Sequence, residues 1–212
     1  MKLFRTILFP FVPFYFAATW IRNLLYNQGI QQSRSYDLPI ICVGNLSVGG
    51  TGKTPMIEYL IRNLQGSYRI ATLSRGYGRS TSGFILASHS DSADTIGDEP
   101  FQFYSKFDRI QVAVDENRRR GIELLIAQNS SPDIILLDDA FQHRKVKAGF
   151  NILLTRFGKL YSDDIVLPTG DLREPRSGAR RADIIVVTKC PDELSDDDQG
   201  GSTNVQKLVW KS

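Results

Sequence analysis

The stretch Pro39–Pro55, PIICVGNLSVGGTGKTP, decides the fold. Its apolar start, Pro39–Val43, has the composition of a buried strand and runs into a glycine-rich turn that ends in Gly52-Lys53-Thr54. A strand, a glycine-rich turn and Gly-Lys-Thr before a helix form the context of a phosphate-binding loop. Glycines let backbone N–H groups approach phosphates, and the helix start adds its positive dipole end. The stretch therefore predicts a phosphate loop in an α/β domain.

The loop supplies the candidate cofactor-binding residues, which are Ser47, Val48, Gly49, Gly50, Thr51, Gly52, Lys53 and Thr54. In the pattern G-x-x-x-x-G-K-[ST], the lysine reaches the β- and γ-phosphates and the hydroxyl binds Mg²⁺. Here Ser47 stands at the first glycine position, and three other glycines remain to shape the loop. The alternative interpretation is an ordinary glycine-rich turn with a chance Lys-Thr. The predicted cofactors are a nucleoside triphosphate and Mg²⁺.

A second acidic motif follows another apolar run, PDIILLDD, which ends in Asp138 and Asp139. Ligands of open α/β sheets bind at the carboxyl ends of the strands, where this pair would lie. One carboxylate is enough to hold Mg²⁺ opposite Thr54; the other either binds the metal too or orients the acceptor, giving Asp139 a candidate catalytic role. A plain turn is the alternative. His143 follows closely, and its position favours a site role.

Strand and helix patterns alternate from residue 37 onward, which predicts an α/β, P-loop NTPase-like fold with a doubly wound, mostly parallel sheet. The predicted strands are Pro39–Val43, Arg69–Leu73, Ile110–Val114, Asp133–Leu137, Asn151–Leu154 and Asp183–Val187. The predicted helices are Lys53–Leu64, Phe101–Tyr104 and Glu116–Gln128. The polar stretch Ser80–Asp98, with a possible short strand at Phe84–Ala87, is interpreted as a long loop or a hairpin, and long loops of this kind often form lids.

The N-terminal segment, residues 1–36, is apolar and cationic. Sixteen uncharged residues, five of them aromatic before Trp20, lie between Arg5 and Arg22. Pro10 and Pro13 interrupt this run, so a membrane-spanning helix is disfavoured. No small-residue cleavage site follows, which disfavours a signal peptide. We expect a helix that lies on the membrane, with a helix packed on the domain's own core as the alternative.

Composition sets wider limits. The chain has 212 residues, 42% hydrophobic and 23% charged, with a net charge of +3, which suits one globular domain and gives no reason to expect nucleic acid binding. Cys42 and Cys190 lie far apart, each beside apolar residues, as expected of reduced thiols in the cytosol. We expect the domain to span 37–192 and residues 193–212 to form a polar tail or the start of a second lobe.

Five blocks in order resemble those of the tetraacyldisaccharide 4'-kinase (lipid A 4'-kinase) family over about residues 1–192. They are VGNLSVGGTGKTP, LSRGYGR, GDEP, DDAFQHRKV and LPTGDLREP. The resemblance implies a kinase that transfers the γ-phosphate of ATP to the 4'-hydroxyl of a tetraacylated glucosamine disaccharide 1-phosphate. It also implies a peripheral enzyme on the cytoplasmic side of the bacterial inner membrane, and it names no protein partner.

Residue roles follow from the same resemblance. Lys53 and Thr54 match the family's phosphate loop, and Asp138 and Asp139 its acidic pair. Asp98, in GDEP, matches the catalytic base, which fits a lid that closes over the site; an N-terminal cap of the next helix is the alternative. Further candidates for acceptor contacts are Arg75, Arg173 and Glu174.

The chain departs from the family pattern in three places. Ala140 stands where glycine is usual, Asp171 stands where proline is common, and the family's second lobe, with its supporting histidine, has no counterpart before Ser212. Two other functions stay open: a P-loop ATPase switch, because the loops of such proteins also read GGxGKT, and a nucleotide-binding chain without catalytic activity, because of the missing second lobe.

Overall fold

The computed structural model describes residues 7–191 and 207–209 and has an α/β fold. The helices are α1 (Val12–Asn27), α2 (Lys53–Leu64), α3 (Ala93–Ile96), α4 (Asp98–Lys106) and α5 (Arg118–Ile126). The strands are β1 (Ile40–Asn45), β2 (Ile70–Ser74), β3 (Ile85–Leu86), β4 (Ile110–Val114), β5 (Ile134–Asp138), β6 (Phe150–Arg156), β7 (Ile184–Thr188) and β8 (Lys207–Val209).

The predicted strands are confirmed to within two residues at each end, and α2 has the predicted bounds. The predicted helix Phe101–Tyr104 was too short, because α4 begins at Asp98 and holds Pro100 in its first turn, where proline is tolerated. The stretch Ser80–Asp98 is not all loop, since α3 lies within it. β8 is a strand that the polar composition of residues 193–212 did not indicate; the other residues of that tail from 193 lie outside the described part.

The chain forms two compact units. The central unit comprises Ser33–Val43 and Lys53–Phe150. The terminal unit comprises the described residues of Met1–Gln32, Gly44–Gly52 and Asn151–Ser212.

The central unit holds five strands in the order β3-β4-β2-β5-β1, all parallel except the antiparallel pair β3 and β4. All five residues of β5 are buried, as expected of an inner parallel strand covered on both faces. Helix α5 packs closely on β2, because a Cβ on Gly121 would lie 2.9 Å from both Leu73 methyl carbons. The expected mostly parallel α/β sheet is confirmed here.

The terminal unit holds β6, β7 and β8 as a parallel set, together with α1 and a 3-10 turn at Arg176–Arg181. Its core contains Leu153, Leu154 and Val186. A long connection between β6 and β7 carries the LREP motif.

Helix α1 exposes apolar side chains and buries a polar one. Phe14 is 75% exposed and Trp20 48%, whereas Asn23 is the helix's one buried residue. The Tyr15 hydroxyl donates a 2.9 Å hydrogen bond to the backbone oxygen of Arg173. No helix within the described residues is long and apolar enough to cross a membrane. The aromatic side chains of Phe14 and Trp20 stay exposed, whereas Leu24 and Leu25 of the same helix are partly buried.

The two cysteines lie in different surroundings. Cys42 is buried in β1, and desolvation raises the pKa of its thiol to about 12. Cys190 follows β7 and is half-buried. Neither forms a disulfide, as the sequence predicted.

Candidate functional site

The phosphate loop in the terminal unit is held by hydrogen bonds from both sides. The Asn45 side chain donates to the Thr51 hydroxyl at 2.8 Å, and the Val48 amide donates to the Asp171 carbonyl at 2.8 Å. The Thr188 hydroxyl donates to the Thr51 carbonyl at 2.9 Å. These bonds fix the loop, so its remaining backbone N–H groups are preorganised for an anion.

Two glycines in this loop adopt backbone conformations that other residues rarely take. Gly49 has φ 106° and Gly52 has φ 82°. Ser47 does not need such freedom, because Asp139 and Lys189 are the non-glycine residues with positive φ in the described chain. The serine at the first glycine position is therefore compatible with the loop. Its backbone forms an isolated antiparallel β-bridge with that of Leu172.

In the central unit, the first two residues of α2 face acidic side chains. The Lys53 ammonium lies 3.6 Å from a carboxylate oxygen of Asp139, and its side chain is 12% exposed. The Thr54 hydroxyl donates a 3.1 Å hydrogen bond to Glu99. The phosphate-loop lysine and hydroxyl thus meet the acidic groups that a Mg²⁺-nucleotide site requires.

Asp138 ends β5 and is 2% exposed. Desolvation, followed by the charges of Glu99 and Asp139, raises its pKa to about 7. One of its carboxylate oxygens accepts from the Ser74 hydroxyl at 3.4 Å. The other is buried and has no hydrogen-bond partner in the described chain. A buried carboxylate oxygen of this kind is costly unless a ligand binds it.

Asp139 begins the turn after β5 with φ 47°, a left-handed conformation that is costly for residues other than glycine. Its side chain is 34% exposed, and it forms the ion pair with Lys53. The Asp138 carboxylate is therefore buried in the protein, whereas the Asp139 carboxylate is partly exposed and pairs with Lys53. The two adjacent carboxylates have different surroundings, which sequence reasoning left open.

The donor set in the central unit fits Mg²⁺. Mg²⁺ prefers oxygen ligands and is usually bound by one or two carboxylates together with water and phosphate oxygens. Asp138, Asp139, Glu99 and the Thr54 hydroxyl supply such oxygens. A cluster of three or more His, Cys, Asp or Glu side chains arranged as a metal site does not occur in residues 7–191 and 207–209. Carboxylate and hydroxyl oxygens suit a metal that phosphate oxygens of a nucleotide also hold.

Sequence reasoning missed two residues of this site. Glu99 stands beside Asp98 in the GDEP block and contacts Thr54. Arg118 is 3% exposed and donates to the backbone oxygen of Asp138 at 3.0 Å. Desolvation lowers the pKa of Arg118 to about 10. The run Arg118-Arg119-Arg120 looks like a solvated helix surface in the sequence, so nothing indicated that its first member is buried.

The structure gives His143 an environment in which it stays neutral. Desolvation lowers its pKa to about 4, and the positive charges of Arg118, Lys145 and Arg75 act in the same direction. Its Nε2 is buried with no hydrogen-bond partner among the described residues. His143 is thus uncharged at neutral pH, and exposed Arg75 contributes to the positive field around it.

The LSRGYGR and GDEP blocks meet in the central unit. Gly97 has φ 94°, and a Cβ there would lie 3.1 Å from the Tyr77 backbone oxygen. Gly76 has φ 69°, and a Cβ there would lie 3.1 Å from the Ile96 backbone oxygen. This close approach fixes the start of α4, where Asp98 is exposed beside Glu99.

The LREP block lies in the terminal unit and contacts α1. The Glu174 carboxylate is fully buried, accepting from Asn23 at 2.7 Å and from Arg181 at 2.7 Å. The Arg173 amide donates to the Leu46 carbonyl at 2.7 Å, next to the phosphate loop. Asp171, where proline is common, forms an ion pair with Lys159. These contacts favour a structural role for Glu174.

A model of the Tetraacyldisaccharide-1-P 4'-kinase family matches residues 4–211. A tetraacyldisaccharide 4'-kinase of Flavobacterium johnsoniae is 63% identical over 199 residues, covering 94% of this chain and 58% of the relative. The Bacteroides fragilis (strain ATCC 25285) protein of the same name is 54% identical over 188 residues, covering 88% of this chain and 50% of the relative. The chain thus spans between half and two thirds of the length of these relatives.

One solved structure is similar over most of this chain. The "apo" form of LpxK from Aquifex aeolicus, crystallised in complex with ATP, matches with a TM-score of 0.82 and 35% identity. The match covers 98% of this chain and 64% of that one. The similarity confirms the P-loop NTPase-like fold.

Proposed function

Since this chain belongs to the tetraacyldisaccharide-1-P 4'-kinase family, we propose that it transfers the γ-phosphate of ATP to the 4'-hydroxyl of a tetraacylated glucosamine disaccharide 1-phosphate, a step of lipid A biosynthesis. The observation that carries the proposal is the pairing of Lys53 with Asp139 and of Thr54 with Glu99 at the start of α2. A glycine-rich turn without this chemistry would not need two carboxylates at that place.

The donor side of the reaction uses charges already arranged in the central unit. Lys53 would leave its ion pair with Asp139 and bind the β- and γ-phosphates. Asp138, Asp139 and Thr54 would hold Mg²⁺, which neutralises charge on the phosphates when bound. Binding the metal would lower the pKa of Asp138, because a nearby cation favours the ionised carboxylate. Buried Arg118 stabilises that ionised form from behind.

The acceptor side needs a group that removes the hydroxyl proton. Asp98 is exposed at the first residue of α4, beside the glutamate that contacts Thr54. In the proposed step, the acceptor oxygen forms a bond to the γ-phosphorus while the bond to the β–γ bridging oxygen breaks, and the proton goes to Asp98. Neutral His143 and exposed Arg75 would contact the acceptor or the phosphates.

The test uses the purified chain with γ-labelled ATP, Mg²⁺ and the lipid disaccharide in detergent. We expect labelled lipid from the wild type and from Lys147→Ala, an exposed control lysine in the same unit. Lys53→Ala should lower the rate by about a hundredfold or more, as loss of one charge-stabilising donor does. ATP binding without labelled lipid would refute kinase activity for this length of chain and favour a nucleotide-binding role alone.

We also propose that α1 places the protein on the cytoplasmic face of the inner membrane. The support is the exposure of three aromatic side chains: Phe11, just before the helix, and Phe14 and Trp20 within it. A cavity of about 370 Å³ lies in the same unit, and its lining includes Trp20, Arg180 and Arg181. Aromatic and cationic groups side by side suit the boundary between acyl chains and anionic headgroups.

Vesicle flotation tests the membrane proposal. The double variant Phe11→Ser and Phe14→Ser should lose most binding to vesicles that contain phosphatidylglycerol. The matched control is Tyr77→Ser, because Tyr77 is 92% exposed in the central unit. Equal flotation of both variants would show that α1 is not the membrane contact.

A further inference from the structure

Lys189 follows β7 directly and has an unusual backbone conformation. Its φ is 56°, and among the described non-glycine residues it shares positive φ with Asp139 alone. Such conformations persist where surrounding contacts enforce them, and they concentrate at functional sites. Asp139 already belongs to the candidate site. The second strained residue, at the carboxyl end of a parallel strand, therefore raises the question of what it contacts.

The side chain of Lys189 extends to the phosphate loop within the terminal unit. Its ammonium lies 3.8 Å from the position that a Cβ on Gly50 would take. Thr188 fixes this arrangement: it is 1% exposed, and its hydroxyl lies 2.9 Å from the Thr51 carbonyl oxygen and 3.2 Å from the Thr155 carbonyl oxygen, which share its one proton. The end of β7 and the middle of the loop are thus bound to each other.

The charge of Lys189 is not neutralised by its own unit. The side chain is exposed, and no residue in the described part of the chain forms an ion pair with it. The structure therefore places a positive side chain beside the loop within the terminal unit.

The position of Gly50 in the motif indicates which part of a nucleotide Lys189 would meet. Lys53 and Thr54, at the end of the motif, act on the β- and γ-phosphates and the metal. Gly50 lies three residues earlier, in the part of the loop whose backbone borders the α- and β-phosphates. A side chain next to Gly50 is therefore closer to the nucleoside end of the ligand than to the transferred phosphate.

We infer that Lys189 binds the nucleoside end of ATP, with its aliphatic stem packed against the base and ribose and its ammonium close to Gly50. Lysine suits this role because the stem covers apolar surface while the charge stays at the edge, and a cation over a π-face is attractive. The inference rests on the proposed function only as far as nucleotide binding. It adds a nucleotide-contact residue outside the phosphate loop and the acidic pair.

The test compares binding of ATP, ADP and inorganic tripolyphosphate by calorimetry. Lys189→Gly is the informative variant, because glycine keeps φ 56° without strain and removes the side chain. We expect its affinity for ATP and ADP to fall about tenfold and its affinity for tripolyphosphate to stay within about twofold. Lys189→Met, which keeps an apolar stem, should lose less than Lys189→Gly. Lys147→Ala is the control for removal of an exposed lysine.

The outcomes separate this inference from the proposed function. Unchanged ATP affinity in Lys189→Gly would overturn the inference and leave the kinase proposal intact. An equal loss for ATP and tripolyphosphate would also overturn it, because the lysine would then act on phosphate charge alone. Lys53→Ala serves as the non-binding reference. If the wild type binds ATP no better than this variant, both proposals fail.

Discussion

Replacing Glu174 by alanine should destabilise the protein strongly, although Glu174 lies outside the phosphate loop and the acidic pair. Its carboxylate is fully buried and accepts 2.7 Å hydrogen bonds from Asn23 and Arg181. Gly178 packs so closely that a Cβ there would lie 2.8 Å from Glu174. The substitution would leave the guanidinium and the amide without their acceptor in a closely packed environment.

The size of the effect follows from these contacts. Removing one partner of a buried ion pair costs about 3–5 kcal/mol. The Arg181 side chain is 22% exposed, so water recovers part of that loss, and we expect about 3 kcal/mol for Glu174→Ala. In a chain of this length the melting temperature should then fall by about 6–12 °C. Glu174→Gln keeps an acceptor for Asn23 and should lose about half as much.

Thermal and urea unfolding of the purified variants measure this. Glu123→Ala is the matched control, because its carboxylate forms a surface pair with Arg34 in which both side chains are about half exposed, and its loss should stay below about 1 kcal/mol. A change below about 2 °C for Glu174→Ala would refute the reasoning. A raised KM for the lipid at unchanged stability would instead support the acceptor contact that the sequence resemblance implies.

Two further predictions concern the central unit. Burial raises the folded-state pKa of Asp138 to about 7, so without a ligand the stability that this carboxyl contributes is present at low pH and is lost as pH rises to about 7. The melting temperature of Asp138→Asn relative to the wild type should therefore increase from about pH 5 to about pH 8. A difference that stays constant over this range would contradict the argument. Gly121→Ala should lower stability by about 1–3 kcal/mol, because its Cβ would collide with Leu73, whereas Gly66→Ala, where nothing lies within 4 Å, should change it by less than about 0.5 kcal/mol in urea unfolding.

The sequence predicted the elements of the fold well because the patterns there are local. The apolar run that ends at Asp138 is confirmed as β5, and the apolar run before the glycine-rich turn is confirmed as β1. Each of these strands leads directly into a chemical motif. Helix α4 was harder, since the predicted start at Phe101 lies after Pro100, whereas the helix begins at Asp98 and holds the proline in its first turn.

What the sequence could not show are contacts between distant residues. Glu99 follows Asp98, the residue of the GDEP block that the family resemblance indicates. Only the packing of α4 on α2 shows that Glu99 contacts Thr54. Arg118 has the sequence environment of a surface residue, yet it is buried against the end of β5. The LREP block makes Glu174 a candidate for acceptor contact, and in the structure its carboxylate accepts a hydrogen bond from Asn23 of α1.

The different surroundings of the two cysteines have a practical consequence for labelling. Thiol reagents attack the thiolate, and Cys42, fully buried with a pKa near 12, stays protonated and out of reach. Cys190 is half-buried and immediately follows Lys189. A maleimide dye would therefore attach at Cys190 in the unaltered sequence, next to the residue inferred to touch the nucleoside. Its fluorescence would report nucleotide occupancy without any engineered site.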